Sequence, residues 1–307
     1  MRASIALTLA VIGCTTAPAA LDGSGTYVDA VSSLDARATP DGPPIDDGLD
    51  ASAIDAPLVD AASLDGASAA FRLPPLNGML DYQLGGAYAP PAGVAIVSRD
   101  RTASPASGLY NVCYVNGFQS QPGAEPMWMR DHPTLLLRDA SGALVIDTQW
   151  NEALFDVSTP QKRAELLTVI GAWIDGCAAS GFDAVEIDNL DSYSRSTGLL
   201  TRDQAVLMIA LFADRAHARG LAIAQKNASE LVPRRAEMHT DFVVSEECNH
   251  FAECDVYRGG YGEHVLMIEY DRASFTRGCA AYPQDSIVLR DLNLVPIGTG
   301  GYVYDGC

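Results

Sequence analysis

The sequence predicts an α/β protein, a (β/α)8 TIM barrel formed by a single folded domain that follows a disordered acidic tether. Eight short apolar runs between residues 79 and 291 are typical of buried strands. Amphipathic helical patterns separate several of them, and glycines stand where these helices end. Such alternation indicates a parallel sheet, and eight strands are the count of a closed barrel. A doubly wound open sheet is the alternative, but the sequence has no Gly-x-Gly-x-x-Gly loop to support it.

The predicted strands and the two clearest helices alternate along the chain. The strands are residues 79–84, 94–98, 109–115, 182–188, 221–227, 241–247, 265–271 and 286–291. Thr159 and Pro160 predict the start of a helix that ends at Gly181. Thr201 begins a second helix, which ends before Gly220. A strand follows each glycine directly, as expected where helices connect parallel strands.

The first residues have the pattern of an export signal. Residues 1–13 combine a charged start at Arg2 with an apolar run over residues 5–12, which is too short to span a bilayer. Residues 11–14, with the sequence VIGC, resemble a bacterial lipobox, whose cysteine becomes lipidated. The alternative is an ordinary signal peptide with an incidental cysteine. We expect lipid on Cys14 to attach the protein to the bacterial cell envelope, at the outer membrane or cell surface, without spanning it.

Residues 14–70 have the composition of a disordered linker. Residues 1–70 contain ten Asp, no Glu and two Arg. Such a segment cannot bury enough apolar surface to offset its ordering entropy. Removing these residues from the totals of 39 acidic and 20 basic leaves 29 and 18 for residues 71–307. This acidic remainder, the size of one barrel domain, argues against a nucleic-acid partner and favours a cationic one.

Six cysteines remain when Cys14 is set aside. They are Cys113, Cys177, Cys248, Cys254, Cys279 and Cys307. An even number behind an export signal indicates disulfides rather than free thiols. Fifteen pairings are possible, of which a local Cys248–Cys254 loop and a Cys279–Cys307 link at the carboxyl terminus are favoured. Their spacing does not fit a zinc site.

Acidic residues stand at the end of the fourth predicted strand. By the period of two, Glu186 and Asp188 share one face, while Val185 and Ile187 share the other. A carboxylate within a strand is costly unless it is paired or has a function. In α/β barrels the carboxyl ends of the strands carry the chemistry. These residues therefore predict an active site at this end of the barrel.

Four further strand ends are polar in the same way. They carry Lys226-Asn227, Glu246-Glu247, Glu269-Tyr270-Asp271 and Asp291. Two carboxylates that face each other across a cleft are the usual equipment for breaking a glycosidic bond. Asp188 and either Glu246 or Glu247 are the candidate pair, with Lys226 between them. The residues leave open which glutamate acts and whether the configuration is retained or inverted.

The motifs also resemble a known family. Residues 181–193, with the sequence GFDAVEIDNLDSY, resemble the signature of glycoside hydrolase family 114, which includes endo-α-1,4-polygalactosaminidases. The resemblance covers about residues 74–307. It continues in residues 81–84 (DYQL), 112–114 (VCY), 216–221 (AHARGL), 226–227 (KN), 245–248 (SEEC), 253–255 (ECD) and 269–270 (EY).

The resemblance implies a barrel that cleaves α-1,4-linked galactosamine polymers without a metal or other cofactor. It assigns catalysis to Asp188 and Glu246, with Glu246 as the acid and Asp188 as the nucleophile or base. Further candidates for substrate contact are Gln83, Tyr114, Glu186, Asn189, Asp191, Tyr193, Lys226, Asn227, Glu247, Glu269 and Tyr270. An acidic cleft suits a polymer of protonated amino sugars, because opposite charge raises the encounter rate.

The sequence also departs from the family pattern and leaves two other functions open. Asp81 stands where an aromatic residue is common, and residues 119–156 are idiosyncratic, which bears on the identity of the substrate. Four carboxylates, Glu186, Asp188, Glu246 and Glu269, are also suited to a divalent cation and a metal-dependent hydrolase. A carbohydrate-binding protein without turnover is the second alternative. The oligomeric state is not predicted.

Overall fold

The computed structural model describes residues 70–307. The predictions of an export signal, of lipidated Cys14 and of the tether up to residue 69 therefore lie outside the described residues. Eight parallel strands follow in the order β1 (Met79–Tyr82), β2 (Val94–Asp100), β3 (Tyr110–Asn116), β4 (Ala184–Asp188), β5 (Ala222–Lys226), β6 (Phe242–Glu246), β7 (Val265–Glu269) and β8 (Ser286–Arg290). Each pairs with the next along the chain. All eight predicted strands are confirmed, and their ends lie within two residues of the prediction.

The ring of strands closes between β1 and β8. A further strand that the sequence did not predict, β9 (Tyr304–Gly306), pairs antiparallel with β8, and β1 contacts both. Arg290 is fully buried there and donates to the carbonyl oxygen of Tyr82. Its Nη1 also lies 3.2 Å from Oδ1 of Asp81, so an ion pair joins the first and eighth strands. The TIM-barrel prediction is confirmed.

Helices connect most of the strands. They are α1 (Glu125–Asp131), α2 (Pro160–Ser180), α3 (Arg202–His217), α4 (Arg235–Met238), α5 (Cys248–Phe251), α6 (Cys254–Tyr261) and α7 (Arg272–Ala281), with 3-10 turns at Pro133–Leu135, Ser192–Arg195 and Ser229–Arg234. Helix α2 is capped by the hydroxyl of Thr159 and ends at Gly181, whose φ of 90° favours glycine. Thr201 and Gln204 form a capping box before α3. Within residues 70–307 no helix has the length and apolarity needed to cross a membrane.

The connections at the front of the barrel depart from the ideal pattern. No helix lies between β1 and β2 or between β2 and β3. A small hairpin, Ile146–Asp147 paired with Glu152–Ala153, lies in the long connection between β3 and β4. This hairpin belongs to residues 119–156, where the sequence departs from the family pattern, and it contributes a carboxylate to the candidate active site.

The alternation along the strands places the acidic groups. Val185 and Ile187 pack in the layer between β4 and the helices, whereas Ala184 packs inside the barrel. Glu186 and Asp188 share the inward face of Ala184, as the period of two predicts. Small residues such as Ala222 and Ala224 line the interior below them, which leaves room for charged side chains at the carboxyl end of the barrel.

Three disulfides connect the helices and termini to the barrel. Cys113 of β3 is bonded to Cys177 of α2, Cys248 to Cys254, and Cys279 of α7 to Cys307. The predicted local loop and the predicted C-terminal link are both confirmed. All six cysteines of residues 70–307 are thus paired, and cross-links of this kind stabilise a fold mainly by restricting the unfolded chain.

Candidate active site

Lys226 lies at the centre of the carboxyl end of the barrel. Its side chain is only 2% exposed. Its Nζ lies 2.9 Å from Oε1 of Glu186, 3.4 Å from Oδ1 of Asp188 and 3.3 Å from Oε2 of Glu246. Burial alone would lower the pKa of Lys226, but the three carboxylates outweigh it and hold this pKa well above its usual value. Lys226 is therefore held in its charged form among three carboxylates.

Glu186 is the anchor of this lysine rather than a group facing the cleft. The side chain is fully buried, and Oε1 accepts a hydrogen bond of 2.6 Å from the hydroxyl of Tyr82. Ser98 donates to Oε2 at 3.0 Å. Burial raises the pKa of Glu186, although the charge of Lys226 opposes the shift. The predicted substrate contact of Glu186 is not supported by this placement, because protein atoms surround its carboxyl group.

Asp188 is open to the cleft and held in its ionised form. Its side chain is 19% exposed, and Oδ2 accepts a 2.6 Å hydrogen bond from the hydroxyl of Tyr114. Burial would raise its pKa, but the charge of Lys226 and then the hydroxyl of Tyr114 lower it below its usual value. An ionised, accessible carboxylate is what a nucleophile or base requires.

Glu246 is the second accessible carboxylate. Its side chain is 25% exposed, and Oε2 accepts from Nδ2 of Asn227 at 3.1 Å. Tyr270 donates to Oε1. The side-chain oxygen of Asn227 also accepts the backbone N–H of Glu246 at 2.8 Å, which fixes the end of β6. Asp188 and Glu246 thus stand on β4 and β6, on either side of Lys226 on β5.

The backbone decides which of the two glutamates, Glu246 or Glu247, faces the interior of the barrel. Phe242, Val244 and Glu246 face the interior of the barrel at every second position of β6. Glu247 comes after the strand with a φ of 59°, and its N–H donates to the carbonyl oxygen of Ile268. Within residues 70–307, the carboxylates that pair with Lys226 do not include Glu247.

Two predicted site residues lie on the outer face of the sheet. Gln83 is buried, and it accepts from Nε of Arg99 at 2.9 Å and donates to Asp81 at 2.6 Å. Glu269 shares the outward direction of Met267, and its Oε1 accepts from the backbone N–H of Asn249 at 2.8 Å. The predicted substrate contacts of Gln83 and Glu269 therefore do not agree with their positions, because the alternation of the strands directs both away from the cleft.

The loop after β4 is held by contacts among its own residues and with Glu230 of the turn after β5. Asp191 accepts from both terminal nitrogens of Arg195 at 2.9 Å. Tyr193 is buried and donates to Glu230 at 2.6 Å. Asn189, with a φ of 64°, accepts from Arg195 at 3.0 Å. The structure brings these predicted substrate contacts to the correct end of the barrel, but their polar groups already have protein partners.

The structure adds a carboxylate that the sequence did not predict. Glu152 of the small hairpin is buried, and Nδ2 of Asn116 donates to its Oε2 at 3.0 Å. Burial raises the pKa of Glu152 to about 7, and the charges of Asp188 and Asp147 add to the effect. No periodic pattern marks this hairpin, so no sequence signal was available. Tyr82, the partner of Glu186, was also missed, although it belongs to the DYQL segment.

The cluster does not have the form of a divalent-cation site. Nζ of Lys226 occupies the centre of the carboxylates, where such a cation would have to lie, and Glu269 points away from them. Within residues 70–307, one group of ligand-forming side chains is close enough together to hold a metal, namely Cys248, Cys254 and Glu269. Its two cysteines form a disulfide, which removes the thiolates that a metal would need.

Two open carboxylates at the carboxyl end of a barrel, on strands that flank a buried lysine, are suited to the hydrolysis of glycosidic bonds. The family model described as Glycoside-hydrolase family GH114 matches residues 61–307, and the chain therefore belongs to this family. The resemblance found in the sequence is confirmed. A comparison with curated protein sequences finds no match.

Solved structures show the same fold. Ega3 of Aspergillus fumigatus, in complex with galactosamine, is 21% identical with a TM-score of 0.62, covering 78% of this chain and 98% of that chain. The glycoside hydrolase domain of PelA from Pseudomonas aeruginosa is 16% identical with a TM-score of 0.52, covering 72% and 97% respectively. At these identities the likeness establishes the shared barrel.

Proposed function

We propose that this family GH114 glycoside hydrolase cleaves α-1,4-linked galactosamine polymers by a metal-free, two-carboxylate mechanism. Asp188 is the nucleophile, and Glu246 is the general acid and base. The observation that carries the proposal is the shared ion pair, in which Nζ of Lys226 binds one oxygen of Asp188 and one of Glu246. The lysine holds Asp188 ionised and fixes the spacing of the pair.

This spacing supports retention of configuration. Neither oxygen is more than 3.4 Å from the same Nζ. The two oxygens can therefore be no farther apart than the sum of these two distances, and they are closer unless they lie on opposite sides of Nζ. Retaining glycosidases have carboxyl groups about 5–5.5 Å apart, whereas inverting ones need about 6.5–9.5 Å to admit a water.

The reaction then has two steps. Asp188 attacks the anomeric carbon while Glu246 gives its proton to the departing glycosidic oxygen, whose bond to that carbon breaks. Lys226 stabilises the carboxylate that Glu246 becomes. In the second step Glu246 takes a proton from water, the water oxygen bonds to the anomeric carbon, and the bond to Asp188 breaks. The hydroxyl of Tyr114 and the side chain of Asn227 hold the two carboxylates in position.

The choice of substrate rests on charge and on one relative. Residues 71–307 carry 29 acidic and 18 basic side chains, which favours a cationic polymer. The Ega3 structure contains galactosamine, which supports an amino sugar as the unit bound here. We further propose that residues 1–13 direct export, that Cys14 is lipidated and that residues 14–70 form a tether. The three disulfides of the described residues support an oxidising compartment outside the cytosol.

The test is an assay of the full chain with its disulfides formed. Deacetylated α-1,4-galactosamine oligomers are incubated with EDTA present, and the release of reducing ends is followed for wild type, Asp188→Asn and Glu246→Gln. We expect turnover that survives the chelator and is lost in both variants. Binding without turnover, retained in both variants, would instead identify a carbohydrate-binding barrel. Loss of the wild-type activity in EDTA would indicate a metal-dependent hydrolase.

A further inference from the structure

Glu152 is a buried carboxylate whose hydrogen-bond donors are all neutral. Glu152 is 7% exposed. Its Oε2 accepts hydrogen bonds from Asn116 at 3.0 Å and from Asn189 at 3.3 Å. The side-chain amide of Gln119 has hydrogen-bond partners at both its oxygen and its nitrogen in one of its two orientations. In that orientation its nitrogen also donates to Oε2 of Glu152 at 3.0 Å. Among the described residues, none donates a hydrogen bond to Oε1 and none forms an ion pair with Glu152. The charge of Arg195 also acts on Glu152, but its guanidinium group pairs with Asp147 and Asp191. A buried carboxylate without a directly bonded cation is costly, so this site is incomplete as it stands.

Most other buried carboxylates of the described residues form ion pairs, unlike Glu152. Residues 70–307 contain seven buried Asp or Glu side chains, and five of them form ion pairs. The pairs are Asp81–Arg290, Asp147–Arg195, Asp156–Lys162, Glu186–Lys226 and Asp285–Arg258. The remaining two are Glu152 and Glu269. The free oxygen of Glu269 is sealed from solvent, whereas Oε1 of Glu152 keeps some contact with solvent.

Glu152 is also next to the nucleophile. Asn116, its first donor, lies directly across from Asp188 in the pairing of β3 with β4. Asn189, its second donor, follows Asp188 in the chain. The charge of Asp188 contributes to the raised pKa of Glu152 after burial, which is a second sign that the two carboxyl groups are close. The hairpin thus holds a carboxylate without a bonded cation, and these two donors adjoin the nucleophile Asp188.

We propose that Glu152 is a specificity-determining residue that binds the ammonium group at C2 of the sugar attacked by Asp188. The inference rests on the proposed function, since it assigns a residue to the substrate class of that same site. C2 is bonded to the anomeric carbon, so its substituent lies within reach of a carboxylate beside the nucleophile. An ammonium group supplies both the missing cation and a donor to Oε1. An N-acetyl group supplies no charge and adds bulk, so Glu152 selects for deacetylated sugar.

The decisive comparison is between deacetylated and N-acetylated α-1,4-linked oligomers. We expect Glu152→Gln to raise KM for the deacetylated oligomer about 10- to 100-fold, the usual effect of losing a charged hydrogen bond. We expect kcat to change less than threefold. The preference is the ratio of kcat/KM on the deacetylated oligomer to kcat/KM on the acetylated oligomer. We expect Glu152→Gln to lower this ratio by the same factor by which it raises KM for the deacetylated oligomer. Glu165→Gln is the matched control, because Glu165 is partly exposed on α2 and, among the described residues, is hydrogen-bonded only to Gln161.

Two results of this assay would overturn the proposal. One is an unchanged preference in Glu152→Gln, and the other is an equal loss of activity on both oligomers, which would indicate that Glu152 only supports the hairpin. Calorimetric binding of galactosamine and galactose to the wild-type protein at pH 7 needs neither turnover nor a folded variant. We expect galactosamine to bind at least tenfold more tightly than galactose. Equal affinity, or no binding of either sugar, would contradict the role of Glu152, whereas tight binding without turnover would contradict only the proposed function.

Discussion

Nζ of Lys226 lies 2.9 Å from Oε1 of Glu186, a carboxylate that is fully buried under the active-site cleft. The same nitrogen contacts the two accessible carboxylates, Asp188 and Glu246. One buried ion pair therefore supports the fold and at the same time sets the charge and spacing of the groups that act on substrate.

Removal of the lysine charge should affect stability and activity together. In Lys226→Met, the carboxylate of Glu186 is left buried without its cation, and we expect a loss of about 3–5 kcal/mol in the free energy of unfolding. The double variant Lys226→Met/Glu186→Gln removes both charges and should recover most of this stability without recovering activity. Denaturant unfolding and kcat/KM measure the two effects. Recovery of activity in the double variant would contradict the role of Lys226 in holding Asp188 ionised.

The two carboxylates should differ in their dependence on the leaving group. Glu246→Gln removes proton donation, which is worth about 10²- to 10⁴-fold in rate for a poor leaving group and far less for an activated aryl leaving group. Asp188→Asn removes the nucleophile and should be inactive on both kinds of substrate. Rates on oligomer and on an aryl galactosaminide test this assignment. The reverse pattern would exchange the roles of Asp188 and Glu246.

The hydroxyl of Tyr114 should set the acid limb of the pH–rate profile. Asp188 acts in its ionised form, so activity falls as the pH drops through its pKa. The hydrogen bond from Tyr114 lowers this pKa, and its loss in Tyr114→Phe should move the acid limb to higher pH. Tyr193→Phe removes a hydroxyl from the loop after β4 that is bonded to Glu230, and it should leave the limb in place. A limb that does not move in Tyr114→Phe would contradict the assignment of that limb to Asp188.

Glu269 should affect stability but not catalysis. It lies on the outer face of β7, and burial raises the pKa of its carboxyl group. A carboxyl whose folded pKa is raised costs stability as the pH rises above its unfolded value of about 4.3. Glu269→Gln should therefore gain stability relative to wild type between pH 4 and neutral pH, while kcat/KM stays within twofold. Thermal unfolding at several pH values and the oligomer assay measure these effects. A large loss of kcat/KM would show that Glu269 does contribute to the active site.

The positions of the strands were predictable because their signals are local. Apolar runs, helix caps at Thr159 and Thr201 and the glycine at position 181 act over a few residues, and all are found where they were expected. The shared face of Glu186 and Asp188 also followed from the period of two. The local disulfide Cys248–Cys254 follows from proximity in the chain as well.

Other residues could not be placed without the tertiary structure. Alternation tells which residues share a face, but it does not say which face is inward when both are apolar. For this reason Gln83 and Glu269 were predicted in the cleft, whereas Tyr82 takes the inward place at the end of β1. Strand β9 has three residues and no apolar pattern, so its pairing with β8 had no signal in the sequence.

The sequence by itself determined the barrel, the carboxylates at its strand ends and the family to which the chain belongs. Each of these depends on short-range pattern or on motifs within continuous segments. Only the tertiary structure decided that Lys226 joins three carboxylates from two other strands, and that Glu152 lies beside Asp188. Such contacts join segments far apart in the chain, and their distances are set by how the strands and the hairpin pack together.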